Sequence, residues 1–277
     1  MRKICSILIF FPLLLIAQNQ DVGNLQEQTD RRLIRQFPVF SMYDDIYFIT
    51  GTAIDETPDR SNSDAKFQLG FKLKLSNARL PGDIIPLLTY RQLTFWNIYQ
   101  ESFPFRESNY NLGIGIAKLW SYDDRISHGL WLQFEHESNG KDLEKSRSWN
   151  YFSLRYSKPI GDRLQLRLTG WIPIGNKSDN EDILKFRGHF KADIDYKISK
   201  RLYLEGSFRN AIFNGWKGSA QVSLRFNLFK KSNQFLYLQY YEGYSEELID
   251  YNRQVSNLRI GITFREPFTN FSSSNKN

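Results

Sequence analysis

The feature that most limits how this chain can fold is an alternation of apolar and polar residues running from about residue 46 to residue 266. Phe67, Leu69, Phe71, Leu73 and Leu75 interleave with Gln68, Gly70, Lys72 and Lys74. Leu164, Leu166, Leu168, Ile172 and Ile174 stand against Arg163, Gln165, Arg167 and Thr169, and Phe186, Phe190, Ala192, Ile194 and Tyr196 against Arg187, His189, Lys191, Asp193 and Asp195. Side chains of a strand point alternately to opposite faces, so period two predicts strands with one apolar and one polar face. No window of similar length carries a 3.6-residue period. Composition narrows the field further. A mean hydropathy of −0.50 is too low for a helical membrane protein, which needs runs of roughly 20 apolar residues. Yet 22 Phe, 15 Tyr and 6 Trp in 277 residues exceed what a disordered chain carries. One Cys excludes a disulfide scaffold and a thiolate metal site.

About twelve alternating segments are present, near 46–53, 66–76, 85–96, 110–120, 129–136, 149–158, 163–174, 185–197, 201–210, 217–228, 234–243 and 257–266. Each is long enough to cross a bilayer at a tilt, which takes about 9–11 residues. An even number of such strands, charged on one face and aliphatic on the other, predicts an all-β fold: a twelve-stranded antiparallel transmembrane β-barrel. A soluble sandwich would show shorter strands and hide its apolar face. Connections after odd segments mostly run longer than those after even ones. Short periplasmic turns and long external loops are the habit of outer-membrane barrels, so both ends of the barrel are expected in the periplasm and the chain in the bacterial outer membrane.

The ends read differently. Arg2 and Lys3 precede the apolar run Ile7–Ala17, too short to span a bilayer and interrupted by Pro12, and polar residues follow. That pattern predicts a signal peptide over 1–17. Residues 18–45 are expected to form a periplasmic segment, 46–266 the barrel and 267–277 a polar tail. The chain carries a formal charge of +7, two units of which leave with the signal peptide. This modest basicity suits an anionic membrane surface and selects no partner.

A few polar residues sit on the wrong face. Leu130, Leu132 and Phe134 share a parity that marks the lipid face, and His136 and Ser138 continue it. On the return strand Asn150 continues the parity of Phe152, Leu154 and Tyr156. A polar side chain facing lipid is costly unless paired. Here a hydroxyl, an imidazole and an amide can pair with one another as nucleophile, base and orienting group. A histidine at the membrane–water interface fits the parity equally well. Gln92 shares the parity of Leu88, Tyr90 and Trp96; a partner barrel would satisfy its amide, as would the polar rim.

The segment HESNGKDLEKSRSWN, His136 to Asn150, resembles the outer-membrane phospholipase A family, whose pattern is H-x-S-N-G followed by S-R-S-W-N at this spacing. ESFPFRESNY (101–110), YRQ (90–92) and GYSEELIDYN (243–252) support the resemblance in the same order along the chain. The resemblance implies a twelve-stranded barrel that hydrolyses acyl esters of outer-leaflet phospholipids (sn-1, sn-2 or lysophospholipid) as a calcium-bound homodimer. It implies Ser138 as nucleophile, His136 as general base, Asn150 as its orienting partner and the Gly140 N–H as an oxyanion donor. It also implies calcium ligation by the Ser146 hydroxyl, the Lys141 carbonyl and Ser102 of the facing protomer, with Gln92 as a polar dimer contact. Two departures stand out: Leu143 replaces an expected polar residue, and the chain runs past Phe264 and Phe268 rather than ending on an aromatic. Asp142 and Glu144 could add carboxylates to the metal site or be solvated loop charges.

A passive porin and a lipid A-modifying barrel are the alternatives. The porin needs an open lumen, and a lumen filled with Lys, Arg, Gln and Tyr leaves little room. His128, placed in a periplasmic turn, and His189, placed on the lumen face, read as structural. No phosphate loop, zinc spacing or nucleotide fingerprint appears, and no nucleic-acid partner is expected.

Overall fold

The computed structural model describes residues 38–76, 80–122, 125–175, 180–211, 217–229 and 233–265. The predicted signal peptide, the periplasmic segment up to residue 37, the polar tail and Phe268 lie outside the described residues.

Thirteen strands form the wall: β1 (Phe40–Met42), β2 (Ile46–Ala53), β3 (Ser63–Lys74), β4 (Ile85–Trp96), β5 (Phe105–Tyr122), β6 (Arg125–Ser138), β7 (Ser148–Ile160), β8 (Leu164–Ile174), β9 (Phe190–Lys197), β10 (Leu202–Ala211), β11 (Lys217–Asn227), β12 (Gln234–Gly243) and β13 (Val255–Phe264). Consecutive strands from β2 onward pair antiparallel, and β13 returns to β2 to close the barrel. Strands β1 and β2 lie end to end along β3, with Met42 opposite Phe71 and Tyr47 opposite Gln68. Five steps on one side face three on the other, which is a bulge of two residues. The bulge turns Asp44 and Asp45 inward, where Asp44 meets Arg91 at 3.3 Å and Asp45 meets Arg265 at 3.3 Å. The thirteen strands therefore make twelve staves, and the first begins at Phe40, inside the segment expected to precede the barrel.

Alternation decides what faces where. Leu112, Ile114, Leu154 and Ile260 are about half exposed on the outside. Lys66, Glu107, Arg225, Gln239 and Arg259 point inward and are almost fully buried. A buried charge is costly unless paired. Glu107 accepts the Asn109 amide at 2.6 Å and the Ile249 N–H at 2.8 Å, whereas the other charges are in ion pairs. Arg259 binds Asp64 at 2.7 Å and Glu246 at 2.6 Å, Lys66 binds Glu246 at 3.0 Å, and Asp195 collects Arg225 at 2.9 Å and Arg265 at 2.5 Å. Lumenal cavities of about 130 and 40 Å³ lie among these side chains, which fill much of the lumen as a polar core.

The mouth is closed from above by two inserted connections. Residues 244–254 fold inward, and a short helix α1 (Ile183–Arg187) lies before β9. Together they seal a cluster of Trp149, Tyr151, Trp171, Ile183, Phe186, Leu248 and Tyr251. The sequence predicted a strand from residue 185. Phe186 and Phe190 are four apart, a spacing that serves one helix turn as well as one strand face, and Gly188 at φ 73° ends the helix. His189, between the helix and β9, is exposed, its carbonyl accepting the Trp171 N–H at 3.0 Å. At the other rim β5 and β6 extend further than expected. His128 belongs to β6, its ring stacked on Trp120 at 4.6 Å on the outer face, where interfacial aromatics gather in membrane barrels. A register shift between Trp120 and Ser121 had hidden this pairing from the alternation.

Glu246, in the inserted connection, yields a pH prediction. Burial opposes its charge, but Arg259 and Lys66 outweigh burial and hold the carboxyl down at about 2. The folded value lies below the ordinary 4.5, so its contribution is complete above that pH and disappears as pH falls toward 2. Unfolding free energy measured by acid titration is expected to drop through this window, and Glu246→Gln to flatten the drop. An unchanged slope in the variant would rule the group out as its source.

Candidate active site

Strands β6 and β7 bring the outward polar residues together. Their register places His136 opposite Asn150, Phe134 opposite Phe152 and Ser138 opposite Ser148. His136 Nδ1 lies 2.8 Å from Asn150 Oδ1. An amide oxygen only accepts, so Nδ1 carries the proton and Nε2 is left with a free lone pair. Ser138 follows two residues along the same face and is half-buried. Among the described residues no hydrogen bond links its hydroxyl to the imidazole; such bonds commonly tighten only when substrate is bound. Around the pair the wall is apolar, with Leu112, Phe134 and Phe152 about half exposed and Ile172 more so.

Behind this face the lumen holds the strands in place. Glu137, between His136 and Ser138, points inward and accepts hydrogen bonds from Arg187 at 2.8 Å and Trp149 Nε1 at 3.0 Å. The segment thus has an outward polar side and an inward anchored one.

The loop 139–147 begins directly after Ser138. Buried Asn139 staples it: its amide donates to the Lys145 carbonyl at 2.8 Å and accepts from the Arg147 N–H at 2.9 Å. Gly140 follows at φ 63°, a left-handed position where an added Cβ would lie 3.2 Å from the Tyr110 ring. The backbone turn thereby exposes the 140 peptide beside Ser138. Asn139 was absent from the predicted site; its place in S-N-G, next to a left-handed glycine, was the available signal. Lys141 Nζ donates to the Arg106 carbonyl at 2.7 Å. Ser146 donates its N–H to the Leu143 carbonyl at 3.0 Å, and Leu143 itself is 89% exposed at φ 52°. Asp142 and Glu144 are exposed, and no group of three or more acidic, His or Cys side chains suited to a metal forms among the described residues. The loop offers the hydroxyl of Ser146 and backbone carbonyls, beside the two exposed carboxylates. Ser102 lies in a different loop, 97–104, exposed at φ 64°.

Gln92 faces outward as expected, but its amide finds partners on its own strand. It accepts from the Tyr90 hydroxyl at 2.9 Å and donates to Thr94 Oγ1 at 3.1 Å. A partner barrel is not needed to satisfy these two groups, although one N–H of the amide stays available for one.

The Phospholipase A1 family profile matches residues 38–264. The chain belongs to the phospholipase A1 family. Phospholipase A1 of Escherichia coli (strain K12) is 30% identical over 219 residues, covering 77% of this chain and 74% of that protein. Among solved structures, the Salmonella typhi outer membrane phospholipase dimer with bound calcium superposes with a TM-score of 0.74 at 25% identity, covering 87% of this chain and 98% of that one. The Escherichia coli outer membrane phospholipase A, solved as an active-site mutant with asparagine replaced by alanine, gives the same TM-score and identity over 86% and 98%. A phospholipase A1 homologue with this closed twelve-stave wall is an ester hydrolase of the bacterial outer membrane, and the plugged lumen sets it apart from a porin.

Proposed function

We propose that the chain is a calcium-dependent phospholipase that cleaves acyl esters of outer-leaflet phospholipids from the outside of its wall, as a homodimer. Ser138 is the nucleophile, His136 the general base and Asn150 the group that fixes its tautomer. The observation that carries this reading is the His136–Asn150 bond of 2.8 Å on the lipid-facing surface. The active-site asparagine of the Escherichia coli relative supports it.

In the first half-reaction Nε2 of His136 takes the Ser138 proton as Oγ adds to the ester carbonyl. The N–H of Gly140, in the exposed left-handed turn just after Ser138, donates to the oxyanion. Collapse breaks the bond to the glycerol oxygen, which leaves with the proton held on Nε2. Water then adds to the acyl-enzyme, giving its proton to Nε2, and the fatty acid departs as Ser138 is regenerated. Asn150 holds the imidazole orientation throughout.

The donor chemistry of the loop fits calcium. The Lys141 carbonyl and Ser146 hydroxyl are hard oxygens of the kind it prefers, yet calcium takes six to eight, so one loop leaves the site incomplete. Ser102 of a second copy would add another, and the calcium-bound dimer of the Salmonella typhi relative supports this assignment. When bound, calcium supplies positive charge next to the developing oxyanion. Gln92, with an amide proton to spare, is the polar contact between barrels.

Purified protein in phospholipid–detergent micelles should release fatty acid when calcium is present and stop when it is chelated. Asn150→Ala is expected to lower turnover about 10²- to 10³-fold, the scale of losing one preorganised polar group, at unchanged unfolding temperature. A wild-type barrel that is folded, calcium-loaded and inert would sink the proposal.

A further inference from the structure

Arg106, at the start of β5, ties together three connections of the outer rim. Its guanidinium donates to Glu247 of the inserted segment 244–254 at 2.6 Å, to Asp64 of β3 at 2.6 Å and to Asn97 Oδ1 at 2.7 Å. Its own carbonyl accepts Lys141 Nζ from the loop 139–147 at 2.7 Å. Asn97 opens the loop 97–104 and closes it through its N–H to the Pro104 carbonyl at 3.0 Å. At that loop's tip Ser102 and Phe103 are both left-handed, at φ 64° and 46°. Non-glycine residues persist there only when their surroundings fix them. The Asn97–Pro104 bond and the Trp96 Nε1 bond to the Phe103 carbonyl at 2.8 Å do so.

We propose that Arg106 is a positioning residue for the shared calcium site. From one chain it sets both the loop that lends Ser102 to a second copy and the loop that carries the Lys141 carbonyl and Ser146. The inference rests on the calcium-dimer reading above. Its physical content is preorganisation: loops already fixed in the free chain lose less freedom when the two copies meet around the ion. The bland role for Arg106 is to neutralise Asp64 and Glu247. Lys141 separates the two roles, because its side chain touches the Arg106 carbonyl and neither carboxylate, while any ligand it offers calcium is its backbone oxygen.

The test is calcium-driven dimerisation, followed by sedimentation in detergent micelles as calcium is titrated. The variants are Arg106→Gln combined with Glu247→Gln, Lys141→Met alone, and Ser146→Ala as the control for the ligand assignment. In the double variant Asp64 keeps Arg259 at 2.7 Å, so no carboxylate is left bare. Both tether variants are expected to need about 10- to 100-fold more calcium, the usual effect of losing a partner behind a metal ligand. A neutralising role alone would alter unfolding temperature and leave the calcium midpoint where it was. If Ser146→Ala shifts the midpoint while both tether variants keep the wild-type value, the positioning role is wrong and the calcium site stands. A shift in only one of the tether variants also overturns it. If the wild type shows no calcium-driven association, the underlying reading falls with it.

Discussion

Replacing Ser138 by alanine is expected to lower phospholipid turnover about 10⁶-fold, the loss seen when a serine nucleophile is removed, without changing the unfolding transition. The second half follows from the contacts: among the described residues the Ser138 hydroxyl donates no hydrogen bond to the imidazole, and the wall around it is held by Glu137 from the inside. The same variant should still dimerise with calcium, because the proposed ligands lie in the loop beyond it. Fatty-acid release, sedimentation and a thermal melt on one preparation check all three. Residual turnover within tenfold of wild type would mean that another group attacks the ester.

A loss of about 3–5 kcal/mol is expected for Arg259→Met, the scale of breaking a buried ion pair from one side. Arg259 is 3% exposed and holds both Asp64 and Glu246. Lys66 and Arg106 stay with the two carboxylates, which favours the lower end of that range. The damage reaches the rim, since Glu246 belongs to the segment that closes the mouth. Denaturant unfolding in lipid vesicles measures it. A change below about 1 kcal/mol, the worth of a solvent-screened pair, would indicate that water rather than Arg259 carries these charges.

Much of this fold could be read from alternation, because a wall between lipid and a polar lumen imposes period two on every stave. The same rule put His136 and Asn150 on the outer face of neighbouring strands, and the register of β6 and β7 sets them opposite each other. It failed where the backbone leaves the wall. The bulge at Asp44 and Asp45 adds two residues that no pattern marks, and the turn of α1 mimics a strand in its Phe186–Phe190 spacing. Partners on strands far apart in sequence, such as β13 and β3 on either side of β2, were also beyond reach. Arg259 and Asp64 are 195 residues apart, and alternation says only that both face inward. Arg106 escaped notice for the same reason: its importance lies in meeting three connections at once, not in its own neighbourhood.

If His136 and Asn150 react as proposed, their outward position has a kinetic consequence. Reacting groups that open sideways into a leaflet meet their substrate by lateral diffusion, and the relevant concentration is a mole fraction in two dimensions. Fatty acid and lysophospholipid are released into the same sheet from which the substrate came. Turnover is then governed by how quickly neighbouring lipids exchange places along the wall, and the packing of the leaflet becomes part of the rate law.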